Sequence, residues 1–239
     1  MTDELKETLR TGLTRLGLSP APEAVDKLAL YCDRLLKKNQ VMNLTAITDP
    51  AEVISRHFLD SAALLPSKAL TGKTIIDVGT GAGFPGLVLR ILDPTIQLTL
   101  LDSLGKRVDW LTELCQELDL PDVVLIKGRA EELSLQKEHR DRYDAAVSRA
   151  VAAMPMLAEL CLPYVRPGGL FMAMKSNKTD EEIEAAEPII QTLGGEPPFV
   201  MDYRLPDSEV YHRIVTVSKR RPTPKGYPRK WTKIKEAKV

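Results

Sequence analysis

The residues best suited to chemistry begin at Asp77. It follows the β-favouring run Thr74-Ile75-Ile76, and Gly79, Gly81, Gly83 and Gly86 then fall within eight positions. An apolar segment from Leu87 to Leu92 resumes at once with helical character. That order predicts a buried strand, a tight turn and a helix start, where bare backbone N–H groups face a ligand. Glycine permits positive φ and close approach of the ligand there, and Pro85 suits the first turn of the helix. Asp102 stands 21 positions after Gly81, with Ser103 beside it, at the end of a second strand-like run, Gln97 to Leu101. A carboxylate offers two acceptor oxygens, as two ribose hydroxyls require. Gly128-Arg129, Ser148-Arg149 and Lys175 close three further strand-like runs. Together these residues describe a site for a nucleotide-like molecule. Residues Gly81 to Gly86 formally match the G-x-G-x-x-G dinucleotide pattern, so a dinucleotide-dependent oxidoreductase is one reading.

The elements that must hold these residues alternate in type. Strands are expected from Thr74 to Asp77 and at Gln97–Leu101, Val123–Ile126, Tyr143–Val147 and Leu170–Met174, with a turn at Pro167-Gly168-Gly169. Helices are expected at Gly105–Leu118, Met156–Leu162 and Asp180–Leu193, and a closing antiparallel hairpin at Phe199–Leu205 and Val210–Val217. Repeated β-α units imply an α/β fold with a parallel sheet and right-handed crossovers, and ligands bind beyond the carboxyl ends of such strands. Residues 1–70 read as a helical extension packed on the main domain. Leu5, Leu9, Leu13 and Leu16 form one 3.6-residue stripe, Val25, Leu28, Cys32 and Leu35 another, and Asp49-Pro50 opens a third helical region through Arg56-His57 and Asp60. Residues 71–218 then form the main domain, and 219–239 a basic tail.

With 44% hydrophobic and 28% charged residues, the composition is that of a globular protein. No apolar run reaches the roughly 18 residues of a membrane span, and the acidic start lacks the form of a signal peptide. Cys32, Cys115 and Cys161 make neither a metal-type spacing nor an even disulfide set, so no metal and a cytoplasmic setting are expected. The formal net charge of zero conceals an asymmetry. From Lys219 onward nine Lys or Arg meet one acid, Glu236, which gives a tail of +8 on a body of −8. Tyr227 and Trp231 interleave with Lys225, Arg229 and Lys230. Aromatic rings can stack on bases while cations meet phosphate, so a flexible, RNA-contacting tail is expected, with a solvated tail that binds nothing as the alternative.

Two features disfavour NAD or FAD: the acid that precedes the glycines, and their Gly79-x-Gly81-x-Gly83 spacing. With Asp102 at the next strand end, the set resembles the first motifs of class I S-adenosylmethionine-dependent methyltransferases. Further blocks are similar to those of the bacterial glucose-inhibited division protein B family. They are Asn43-Leu44-Thr45-Ala46, Arg56-His57-Phe58-Leu59-Asp60-Ser61, Asp77 to Gly86, Leu101 to Arg107, Gly128 to Glu132, Ser148 to Ala152, and Tyr227-Pro228-Arg229-Lys230. The resemblance covers nearly the whole chain. It implies a Rossmann-like, mostly parallel seven-stranded sheet closed by an antiparallel hairpin, with S-adenosyl-L-methionine as cofactor. It also implies methylation of N7 of a guanine in the decoding region of 16S ribosomal RNA. The partner would be that RNA or the small ribosomal subunit, and the protein a monomer. Lys38 stands where an aromatic is frequent, and the tail departs from the family's Gly/Pro/Asn pattern after Lys230.

The resemblance also assigns roles. Gly79, Gly81 and Gly83 line the methionine part of the cofactor with Phe84 nearby; Asp77, Asp102 and Ser103 belong to the same site; Ala130 and Glu131 contact adenine. Arg149 sits beside the cofactor and the entering guanine as the catalytic candidate, and an arginine fork suits guanine or phosphate. Arg129, Lys175, Arg229 and Lys230 are the candidates for RNA contact. Guanine N7 already carries a lone pair, so transfer needs positioning more than a general base, and orientation alone can be worth about 7–11 kcal/mol. No cysteine lies at a strand end to attack a pyrimidine. Arg129 in a structural ion pair, a solvated Lys175, a His57 that bonds Asp60 only to fix its helix, and a non-catalytic RNA-binding module remain as alternatives.

Overall fold

A computed structural model describes residues 1–236; positions 237–239 of the basic segment lie outside the described residues. The chain opens with α1 (Asp3–Arg15) and α2 (Pro22–Met42). Thr2 caps α1 through its hydroxyl, and Pro22 occupies the first turn of α2, where a missing N–H costs nothing. Their apolar stripes bury Leu9, Leu13, Val25, Leu28, Tyr31, Cys32 and Leu35 against the main domain. Next come α3 (Pro50–Val53), a π-helical turn (Ile54–Leu59) and α4 (Asp60–Ala62). The third helical region is therefore not one regular helix. Its widened turn carries Arg56 and His57, and Asp60 follows directly.

The α/β body consists of β1 (Thr74–Val78), α5 (Gly86–Leu92), β2 (Gln97–Asp102), α6 (Gly105–Glu117), β3 (Val124–Lys127), α7 (Ala130–Leu133), β4 (Tyr143–Arg149), α8 (Met154–Cys161), β5 (Val165–Ser176), α9 (Asp180–Thr192), β6 (Phe199–Arg204) and β7 (Tyr211–Ser218). A last short helix, α10 (Trp231–Ile234), follows. The strands form one seven-stranded sheet in the order β3-β2-β1-β4-β5-β7-β6, parallel except for the antiparallel pairs of β7. The order reverses between β1 and β4, which is the crevice where open sheets of this kind take ligands. Val78 lies beside Leu101 and Asp77 beside Val147, so the ends carrying Asp77, Asp102 and Arg149 come together.

Two expectations change. The turn at Pro167-Gly168-Gly169 is absorbed into β5, whose irregular start is tied to the chain after β7 by Gly168 N to Lys219 O (2.7 Å) and Lys219 N to Gly169 O (2.9 Å). The basic segment, expected as a flexible tail, lies packed against the main domain as far as Ile234. Lys219 is fully buried, and its ammonium meets Asp141, the Leu162 carbonyl (2.7 Å) and the Thr223 hydroxyl (2.6 Å). Arg140 holds the carbonyls of Thr223, Pro224 and Tyr227, and Ile234 is fully buried among the side chains of the second core layer. Charge drew the sequence reading toward solvent here. The partners that fix the segment are 70 or more residues away along the chain, in Asp141, Arg140 and Glu159.

Candidate active site

Asp77 is completely buried beneath the glycine loop. Its Oδ2 accepts from the Thr80 hydroxyl (2.7 Å) and from Gly86 N (2.8 Å), so one oxygen draws both ends of the loop onto the strand. The other oxygen, Oδ1, has no partner among the described residues. Burial pushes the carboxyl up to about 6, with the Thr80 and Gly86 bonds opposing the rise. The expectation that Asp77 belongs to the ligand surface gives way to a position under the loop, where it fixes the loop's shape. On the loop itself Gly79 N and Thr80 N bond to Leu101 O. Gly81 takes φ +60°, and a Cβ there would find nothing nearer than Gly79 O at 4.0 Å. The open cradle is therefore on the side of Gly81. Gly83, at φ +102°, presses the other way: a Cβ would stand 2.5 Å from the Tyr31 hydroxyl, which donates to the Ala82 carbonyl. The helical extension thus grips the loop from behind.

Asp102, 4% exposed, faces the cradle at the end of β2. Oδ2 accepts from Gly81 N (3.0 Å) and Oδ1 from Leu104 N (2.9 Å), with Arg107 at 3.4 Å. Oδ1 keeps acceptor capacity for a hydroxyl, whereas Oδ2 already meets two donors, the second of them at long range. Ser103, Arg129, Ala130 and Glu131 lie with Asp102 and Gly79 around a cavity of about 190 Å³. Arg129 bonds the buried Glu131 carboxylate (2.5 Å), and the Tyr164 hydroxyl donates to the Ala130 carbonyl (2.7 Å). Arg129 is consequently a wall of this cavity. Trp231, which the sequence reading gave to RNA, lines it as well.

Phe84 lies on the opposite side, buried between Tyr31 (ring centroids 5.3 Å apart, 15° between planes) and His57 (4.5 Å, 26°). Over it sits the Arg149 guanidinium, 4.9 Å from the ring centroid. Arg149 Nη1 donates to the Arg56 carbonyl (3.0 Å) and to Asp60 Oδ2 (2.8 Å), and Nη2 to His57 Nδ1 (3.1 Å). His57 Nδ1 lies 3.1 Å from both the Arg149 guanidinium and the Arg56 carbonyl, and its Nε2 lies 2.8 Å from Thr45 Oγ1. Burial, and then the charge of Arg149, push this histidine down to about 4. Its partner is not Asp60. Burial raises the Asp60 carboxyl, but bonds from His212, Arg149 and Tyr203 together hold it below the usual carboxylate range. Of the five N–H groups of Arg149, Nε–H and one Nη2–H have no acceptor among the described residues. The side chain is 13% exposed and lines a second cavity, of about 470 Å³, with Lys175 and Tyr203. Asn39 clamps the connector before this turn, accepting from Leu44 N and Thr45 N and donating to Thr45 O.

The RNA candidates divide. Lys230 is exposed. Lys175 is neither free nor solvated; it bonds Glu182 (2.8 Å) and the Ala152 carbonyl (3.0 Å). Arg229 is committed to the fully buried Glu159 through Nε (2.9 Å), Nη2 (2.6 Å) and its own backbone N (2.7 Å). No group of His, Cys, Asp and Glu suited to a metal occurs among the described residues.

The sequence profile of the GidB family, described as rRNA small subunit methyltransferase G, matches residues 24–211. The chain belongs to this family. It is 47% identical over 229 residues to the ribosomal RNA small subunit methyltransferase G of Alkaliphilus oremlandii, covering 95% of each chain. It is 42% identical over 227 residues to that of Acetivibrio thermocellus, covering 95% of this chain and 93% of the other. Among solved structures, an O-methyltransferase from Bacillus cereus in complex with SAH superposes with a TM-score of 0.54 at 21% identity, over 79% of this chain and 90% of that one. At that identity the likeness speaks for the fold alone. The α/β fold is that of class I S-adenosylmethionine-dependent methyltransferases, and the protein is a methyltransferase. The family gives no support to an oxidoreductase or to a non-catalytic module. Among the described residues no helix is long and apolar enough to cross a membrane.

Proposed function

We propose that the protein transfers a methyl group from S-adenosyl-L-methionine to N7 of a guanine in 16S ribosomal RNA, within the decoding region, in the cytoplasm. The observation that carries this reading is the pairing of an open cradle at Gly81 and Asp102 with an arginine fork held rigid two strands away and still possessing free donors. The chemistry of the site suits the cofactor. Asp102 supplies an acceptor for a ribose hydroxyl, the Gly81 side of the loop admits a chain without steric conflict, and the cavity bounded by Ala130 and Glu131 is suited to a base. When bound, S-adenosylmethionine supplies a methyl on a sulfonium, which a lone pair such as that of guanine N7 accepts without a general base.

The side chains of this protein therefore work by orientation. Asp77 shapes the loop, and Asp60, His57 and the Arg56 carbonyl fix Arg149 before substrate arrives, so little reordering is needed at the moment of reaction. The free Nε–H and Nη2–H of Arg149 can reach paired acceptors such as a carboxylate, or guanine O6 alone, which leaves the N7 lone pair open to the methyl. His57, neutral at physiological pH, keeps a second positive charge away from this point. The larger cavity beyond Arg149 is the entry we assign to the target nucleoside, and Lys230 is the tail cation available to phosphate. Mass mapping of ribosomal RNA from cells lacking the gene tests the reading. Compared in ions of equal charge, one guanine in the small-subunit RNA is lighter by about 14 mass units, because the methyl cation gained at N7 stands in for one ionising proton, and the mass returns on complementation; an unchanged methylation pattern overturns it.

A further inference from the structure

The cavity at the ends of β2 and β3 is walled on three sides by the sheet and by α7 and α8, but its outer wall comes from the basic C-terminal segment. Trp231, the first residue of α10, borders the cavity and is 38% exposed, a large indole left partly uncovered. The Arg129 guanidinium lies over the indole, 4.9 Å from its ring centroid. The indole is held in place from both directions. Two residues before it, Arg229 grips the buried Glu159 on α8; three residues after it, Ile234 is fully buried. The volume of about 190 Å³ suits a planar ring system, since a dry cavity of roughly 150 Å³ already admits benzene.

From this arrangement we propose that Trp231 is the aromatic wall of the base pocket, a binding residue for the adenine of an adenosyl ligand. The inference rests on the S-adenosylmethionine reading above. The segment that charge assigned to RNA thereby has a second duty, because cofactor affinity depends on its docking. The ion pair of Arg229 with Glu159 becomes a positioning device for Trp231.

The test uses the full chain and S-adenosylhomocysteine as probe, in calorimetry and by fluorescence. A Trp110→Phe protein leaves Trp231 as the single indole, and its emission changes saturably with the calorimetric Kd. Trp231→Ala weakens binding by about tenfold, as loss of one base–aromatic contact does. Trp231→Phe restores most of the affinity and Trp231→Leu does not, which separates an aromatic contact from bulk that only keeps the segment in place. Equal affinity of the Phe and Leu variants, or a Trp231→Ala protein that binds like the parent, overturns the proposal while leaving the cofactor reading intact. A parent protein that binds no S-adenosylhomocysteine overturns both, and is recognised by the absence of heat in every variant.

Discussion

Replacing Arg229 by Met tests how the C-terminal segment is held. Glu159 has no exposed surface, and among the described residues every hydrogen bond to its carboxylate comes from Arg229: one from the backbone N and a bidentate pair from the guanidinium. Removing one partner of a buried ion pair leaves an uncompensated charge, at about 3–5 kcal/mol. Arg229 is itself 38% exposed, so the lower end of that range is the better expectation. Two outcomes share this magnitude. Either the whole fold loses about 3 kcal/mol, which lowers the urea midpoint by roughly 1 M for a slope near 3 kcal/mol/M, or the segment detaches and water reaches Glu159. Limited trypsin digestion distinguishes them, because detachment exposes Lys225 and Lys230 to early cleavage. The double variant Glu159→Met, Arg229→Met recovers most of the loss in either case. A single Arg229→Met protein within about 0.5 kcal/mol of the parent, and equally resistant to trypsin, refutes the reasoning and returns Arg229 to the class of exposed surface charges.

Further outcomes follow from the site. Asp102→Asn removes a charge-assisted acceptor, so S-adenosylhomocysteine binding weakens by roughly 10- to 100-fold, measured calorimetrically. Arg149→Lys retains the charge but not the fork, so kcat for methyl transfer falls at least about tenfold with little change in the folded far-ultraviolet spectrum; unchanged kcat contradicts the role given to its free donors. Acid titration separates the two perturbed groups under the loop. Folded His57 refuses, until about pH 4, a proton that the unfolded chain accepts near 6.5, so it lowers stability as pH falls through that window, by at most about 3 kcal/mol. Asp77 acts oppositely: the folded chain takes its proton near pH 6, the unfolded chain near 3.8, so stability rises by a similar amount on acidification. Asp77→Asn therefore loses stability relative to the parent between pH 7 and 4 in chemical denaturation, and His57→Gln gains; parallel curves for all three proteins contradict the buried titrations.

Much of this was legible from local pattern. Asp77, the glycine run and Asp102 lie within 26 residues, and their spacing is itself the strand–loop–helix unit. The alternation of later strands was equally plain, because parallel strands buried on both faces read as short apolar runs. What escaped was every feature made by partners distant in sequence. Asp60 meets Arg149, Tyr203 and His212 across 89, 143 and 152 positions. Nothing local distinguishes it from a helix-start acid. Phe84 reads as a loop aromatic beside the ligand, yet three aromatic rings from the helical extension enclose it. Arg229 and Trp231 carried the composition of an RNA-binding tail. A fully buried glutamate on an otherwise apolar helix, Glu159, was the one signal that a basic residue elsewhere had to come to it.

The central claim concerns a methyl acceptor, and transfer itself tests it most directly. The purified protein is incubated with radiolabelled S-adenosylmethionine and small-subunit RNA from cells lacking the gene, and the labelled nucleotide is identified. The account predicts one label per RNA, on N7 of a single guanine, acquired more slowly with Asp102→Asn and Arg149→Lys proteins at limiting cofactor. Label on another base or another atom, or none on RNA or on small-subunit particles, contradicts it.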